Sequence, residues 1–230
     1  MSQGKTFSMF RLICLLAIAL VSSISNAQTP FPVRTVLSGE TISVQKGEYV
    51  LTRQVAIRSG GKLILEPGVR IRVQIGLPIQ VYGELDIRGT ETDPVVVMPD
   101  TIGSCGTIAA YPSTGGPRPK LTATYFDLRH SKDSTSLFLS NCDFAISNSK
   151  ITNQSTATNR ICIAVANNSM GTLSNCILDG CNDILTTPVV GINLDSSVES
   201  SCDYFGVIFA NMLNLVKSSK KYTLGSGSIE

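Results

Sequence analysis

Short apolar alternations return along this sequence at intervals of about 22 to 24 residues, and that recurrence limits the possible folds sharply. Ile57 with Leu63 and Leu65 is echoed by Val81 with Leu85 and Ile87. Around them lie Thr41–Val44, Tyr49–Leu51, Val69–Val73 and Val95–Val97. Runs this short with a period of two read as strands, because alternate side chains of a strand point to opposite faces. Tight turns separate them at Ser59-Gly60-Gly61, Glu66-Pro67-Gly68, Gly83 and Gly89. A unit of three short strands cannot bury its own apolar face. Copies stacked at the ~4.8 Å strand spacing can, and they make one continuous core. The expectation is an all-β, single-stranded parallel solenoid.

The second half repeats with longer periods, about 23 to 29 residues, as loops between strands would produce. Ser147-Asn148-Ser149-Lys150-Ile151 corresponds to Ser174-Asn175-Cys176-Ile177-Leu178, with Thr124–Leu128 as an earlier copy and Ser201–Phe205 as a later one. Leu137-x-Leu139-x-Asn141 matches Ile163-x-Val165-x-Asn167. Stacked asparagines at such turns are expected to form an amide ladder, each donating to the carbonyl of the next coil. A hairpin fold would show two-residue Asn-Gly or Asp-Gly turns between its strands, and Asp179-Gly180 is the one instance.

The chain opens as an export signal does. Lys5 and Arg11 precede the apolar run Leu12–Val21, and Ser25 and Ala27 supply small residues before a cut expected at Ala27–Gln28. Residues 1–27 are read as signal peptide, 28–38 as a lead-in, 39–222 as the solenoid and 223–230 as a flexible tail. No segment of the mature chain is expected to span a membrane. With Lys5 and Arg11 removed, the remaining basic residues match the 17 acidic ones, leaving no electrostatic footprint for nucleic acid. Six cysteines remain after Cys14 leaves with the signal: Cys105, Cys142, Cys162, Cys176, Cys181 and Cys202. In an oxidising compartment all six are disulfide candidates, although small cysteines can also stack in a core. One histidine and no CxxC pair argue against zinc, and no cofactor is expected. Two sequons make Asn153 and Asn167 candidate glycosylation sites; in an amide ladder, Asn167 would be buried and unmodified.

Leu63-Ile64-Leu65-Glu66-Pro67-Gly68-Val69, followed by Ile79-Gln80-Val81-Tyr82-Gly83-Glu84-Leu85-Asp86-Ile87-Arg88-Gly89-Thr90, resembles the signature of right-handed parallel β-helix, pectin-lyase-like proteins. More narrowly it is similar to the β-helix regions of the bark beetle, or anakonda, type of animal cell-surface protein. The resemblance covers Gly39 to Met98. It implies a right-handed β-helix and a structural role for Glu66-Pro67-Gly68, Gly83 and Gly89-Thr90 as turns. Proteins of that type are large and carry a membrane segment with scavenger-receptor-like and lectin-like modules, a pattern these residues lack. An epithelial, junctional or matrix role is what the resemblance implies.

Many pectin-lyase-like β-helices cleave polysaccharides, using clustered carboxylates and a basic residue on one exposed sheet. The repeat places Arg129, Thr152, Asp179 and Gly206 in one column and His130, Asn153, Gly180 and Val207 in the next. Asp179, Arg129 and Asp127 are therefore the catalytic candidates, and a catalytic role requires them to converge in one groove. One carboxylate per column does not make a pair, so Asp127, Asp143, Asp179 and Asp203 read first as turn or solvated residues. Tyr82, Tyr111, Tyr125 and Tyr204 are the aromatic residues a sugar could stack on. Thr122 and Thr124 lack the recurring Thr-x-Thr of an ice-binding face. The expectation is a secreted extracellular structural or adhesive protein, offering a surface to another extracellular protein or a glycan. A polysaccharide lyase or hydrolase is the alternative.

Overall fold

The computed structural model describes residues 29–200 and 214–215, except 75, 101–104, 131–134, 155–160, 168, 180–182, 187–191 and 195–198. The expected signal peptide, the tail, Gly206 and Val207 lie outside the described residues, as do Cys181, Cys202, Asp203, Tyr204 and Phe205. Among those described, the protein is all-β, with no helix. No helix of the described residues is long and apolar enough to cross a membrane.

The chain winds through three parallel sheets in turn, so neighbours within a sheet are three described strands apart in sequence, save for the last pair of the third sheet. The first sheet has eight strands, the second seven and the third eight. Each coil contributes one strand to each sheet, which is why the sequence shows three alternations per repeat. The register follows the sequence repeat. Ile57 lies opposite Val81, and Leu63 and Leu65 lie opposite Leu85 and Ile87. Ser147 pairs with Ser174, Ile151 with Leu178, and Leu137 and Leu139 with Ile163 and Val165.

Alternation then decides what is buried. Val69–Val73 places Val69, Ile71 and Val73 inside and Arg70 and Arg72 outside. Stacked inward positions make columns such as Ile71, Val97, Leu128, Ile151 and Leu178, each at most 1% exposed. Another column runs Leu63, Leu85, Leu121, Phe144, and then Gly171. A Cβ at Gly171 would collide with the backbone oxygen and ring of Phe144, so the glycine makes room for the largest side chain in its column.

Corners are turned by residues with positive φ. Tyr125 (44°), Asn148 (49°) and Asn175 (48°) stack where the third sheet hands over to the first. Asn141 (47°) and Asn167 (50°) stack where the second hands over to the third. Asparagine suits this left-handed conformation better than most residues, because its short polar side chain bonds locally. Two buried serines complete the corners. Ser149 Oγ accepts the N–H of Phe126 one coil below at 3.1 Å, and Ser169 Oγ accepts the N–H of Cys142 at 3.1 Å. Each removes an orphan donor that the sharp turn would otherwise bury.

Three expectations are corrected. The segment read as a lead-in is already solenoid: Thr29–Pro30 pairs with Tyr49 and Val50, and Thr35–Val36 pairs with Ala56 and Ile57. Two residues per strand are too few to show a period in sequence. Ile177 and Leu178 pair with Glu199 and Ser200 rather than with Tyr204 and Phe205. The ladder also differs in one acceptor. Asn175 Nδ2 donates to the amide carbonyl of Asn148 at 2.5 Å, as a ladder requires, but Asn167 Nδ2 donates to Ser140 Oγ at 2.8 Å, so a hydroxyl replaces the carbonyl at that rung.

Candidate functional site

The catalytic candidates lie on the outer face of the first sheet. Strand Phe126–His130 points Asp127 and Arg129 outward, strand Lys150–Asn153 follows, and Ile177–Asp179 comes next. Arg129 lies beside Thr152 and Thr152 beside Asp179, the column that the repeat implies. Arg129 and Asp127 are spent on each other. The guanidinium meets Asp127 Oδ2 through Nε at 3.0 Å and Nη2 at 2.6 Å. The hydrogen bond to Asp127, with its charge, holds the Arg129 pKa above its ordinary value. Asp179 stands two coils away and pairs with Lys150 at 3.9 Å. Two strand spacings and two residues along the strand separate the carboxylates of Asp127 and Asp179 by roughly 12 Å, beyond the spread of a glycosidase pair. The three candidates share one face without converging, and His130 pairs through its backbone with Asn153.

The third sheet carries a second set of ion pairs that the sequence reading missed. Lys62 reaches Glu84 and Asp86 at 3.4 Å each. Arg88 meets Asp86 at 2.9 Å and Glu66 at 3.8 Å, and Ser43 Oγ donates to Glu66 at 2.8 Å. Asp86-Ile87-Arg88 and Asp127-Leu128-Arg129 are the same motif, an acid and an arginine flanking one inward apolar residue. On a strand that spacing puts both charges on one face, about 6.6 Å apart along the chain, within arginine's reach. Its recurrence was the signal available. Lower on the solenoid, Lys46 and Asp93 pair at 2.6 Å across a corner.

The second sheet differs. Its outward column Ala56, Gln80, Ala109, Phe138 and Ala164 carries no charge. Just past the strands Leu77–Val81 and Cys105–Ala110, Tyr82 and Tyr111 meet edge to face, with ring centroids 4.8 Å apart. Their hydroxyl oxygens are 3.0 Å apart. Of the other tyrosines considered, Tyr125 turns a corner and Tyr204 lies outside the described residues.

The six cysteines divide. Cys142 and Cys176 are fully buried and form no disulfide, which corrects their candidacy for one. Each follows a corner asparagine and points inward, where Cys142 Sγ donates to the carbonyl of Asp143 and Cys176 Sγ to that of Ser174. Burial pushes the Cys142 thiol up to about 12, with the Asp143 charge adding to the shift. Cys162 is also buried, its Sγ 3.5 Å from the carbonyls of Ile151 and Asp179. The side chain of Cys105 is outside the described residues.

The sequons also separate. Asn153 is 0% exposed and its Nδ2 donates to the carbonyl of Ile161 at 3.1 Å, so the folded site has no room for a glycan there. Asn167 is exposed, while the hydroxyl of its sequon partner Ser169 is buried in a corner bond. No group of three or more His, Cys, Asp or Glu residues that could hold a metal ion occurs among the described residues.

Comparison with known proteins gives one partial likeness. The chain is 38% identical over 53 residues to "Protein bark beetle" of Drosophila melanogaster, a match covering 23% of this chain and 2% of that protein. The chain therefore spans a very small part of the relative's length. No family model matches it, and no solved structure matches it.

Proposed function

We propose that the protein is a secreted structural or adhesive β-helix that acts outside the cell and offers a rigid sheet face to an extracellular protein or glycan. The observation that carries this reading is how the outward polar groups are used. Asp127 and Arg129, Lys62 with Glu84 and Asp86, and Arg88 with Glu66 pair along strands and across coils. Such ladders make a flat, pre-ordered surface in which these carboxylates are each held against a cation. The short likeness to bark beetle supports an extracellular, junctional or matrix setting, in which a disulfide at Cys162 would persist. Nothing in the charge balance favours nucleic acid as a partner.

The test is binding of the purified protein to an array of extracellular glycans and matrix proteins, with released sugars assayed in the same wells. Saturable binding without release, unchanged in kind by Asp179→Asn, is the expected result. Release of shortened sugars that Asp179→Asn abolishes overturns the proposal in favour of a polysaccharide lyase or hydrolase.

A further inference from the structure

The tyrosine pair on the second sheet is used neither by the core nor by the ion-pair ladders. Tyr82 and Tyr111 belong to successive coils, 29 residues apart in sequence, and both are partly exposed. Their backbones are fixed from below: Tyr82 N–H donates to the carbonyl of Ile57 at 2.8 Å and Tyr111 N–H to that of Val81 at 3.1 Å. Gly83, directly after Tyr82, packs so closely on the carbonyls of Gly61 and Arg58 that no Cβ fits, which fixes the chain just beyond the ring. The phenols are thus held in contact by the coil stacking itself. Among the described residues this is the one contact between two tyrosine rings. Tyr49 instead packs on Phe31 and donates its hydroxyl to the carbonyl of Gln45.

We propose that Tyr82 and Tyr111 are a site of oxidative coupling, joined by a haem peroxidase with hydrogen peroxide into a carbon–carbon-linked dityrosine. Each phenol gives one electron and its phenolic proton to the oxidant. The two phenoxyl radicals form a bond between ring carbons ortho to their oxygens, and the displaced ring hydrogens return to those oxygens as aromaticity is restored. Two hydrogens leave the protein and one peroxide becomes two waters. The Tyr82 hydroxyl also lies 3.4 Å from Gln80 Oε1, to which it donates a hydrogen bond; its proton leaves with the electron to the oxidant. Burial and the paired hydroxyl raise Tyr111 to about 12, so the neutral phenol is the form oxidised at ordinary pH. The product is a covalent staple between adjacent coils of the second sheet. Its supply of oxidant rests on the extracellular reading above; the coupling chemistry does not.

The test treats the dilute, purified full chain with a haem peroxidase and hydrogen peroxide, followed by tryptic digestion and mass analysis. The expected product joins the peptide 73–88 to the peptide 89–120, lacks two hydrogens and shows the blue fluorescence of a biphenol. It is lost in Tyr82→Phe and in Tyr111→Phe, which keep the rings and the fold, and it survives Tyr49→Phe. The coupled protein melts at a higher temperature than the untreated one. Coupling only between molecules, coupling through other tyrosines, or consumption of peroxide without this link overturns the proposal. The binding array uses unoxidised protein, so a failure there and a failure here are separate results.

Discussion

Single residues in this protein are constrained chiefly by what a coil stack does to hydrogen-bonding groups. Cys142 shows the effect on ionisation. Its thiol is held to about 12 against an ordinary value of 9.0. The folded state therefore keeps a proton that the unfolded chain gives up, so the stabilisation is whole below pH 9 and is lost as pH rises toward 12. The urea midpoint is expected to fall between pH 9 and 10, and to fall less steeply in Cys142→Ala. Titration of the native protein with a thiol reagent is expected to leave Cys142 and Cys176 unmodified until denaturant is added. Both cysteines looked like disulfide candidates from composition alone. What sequence does not display is that each follows a left-handed asparagine, which turns the next side chain into the core. Asn153 illustrates the same gap: its sequon reads as a glycosylation site, yet the residue ends a strand with its amide bonded inside.

At the level of strands and corners, periodicity carried most of the information. The columns through Ile57, Leu63 and Leu65, and the one through Arg129, Thr152 and Asp179, are those the repeat implied. Where the repeat was short or interrupted the register was not legible. Thr29–Pro30, Thr35–Val36 and Glu199–Ser200 are too brief to show alternation. The candidate site was legible as a column but not as chemistry. Sequence placed Asp127 near Arg129 without revealing that one neutralises the other, although Asp86-Ile87-Arg88 held the same clue. Corners are the element whose failure is easiest to predict. Removing the hydroxyl in Ser149→Ala leaves the Phe126 N–H buried without an acceptor, at a cost of about 1–3 kcal/mol. Chemical denaturation of the variant measures that loss; no change in midpoint would show that the corner is satisfied in another way.

On the scale of the whole molecule, a stack of parallel strands must end somewhere, and its last strands offer unpaired donors and acceptors to any other chain. At the described N-terminal end the edge strand of the first sheet contains Pro30, with Pro32 just beyond, and proline has no N–H to offer. Leu37 N–H, at the same end, is taken by Glu40 Oε2 at 2.7 Å. The double substitution Pro30→Thr with Pro32→Thr is expected to raise the fraction of dimers and larger species with concentration, read by light scattering. A variant that stays as monodisperse as the parent would remove this role from the prolines. The corner serines add something different, because their bonds all run one way. Ser149 serves Phe126, and Ser169 serves Cys142: a later residue always completes an earlier coil. A corner's buried N–H therefore keeps its acceptor only while the next coil lies on it, like courses of brick each bedded by the one above. Cutting the stack back by one coil strips the acceptor from the corner beneath it, so the cost of an end is carried one layer further in.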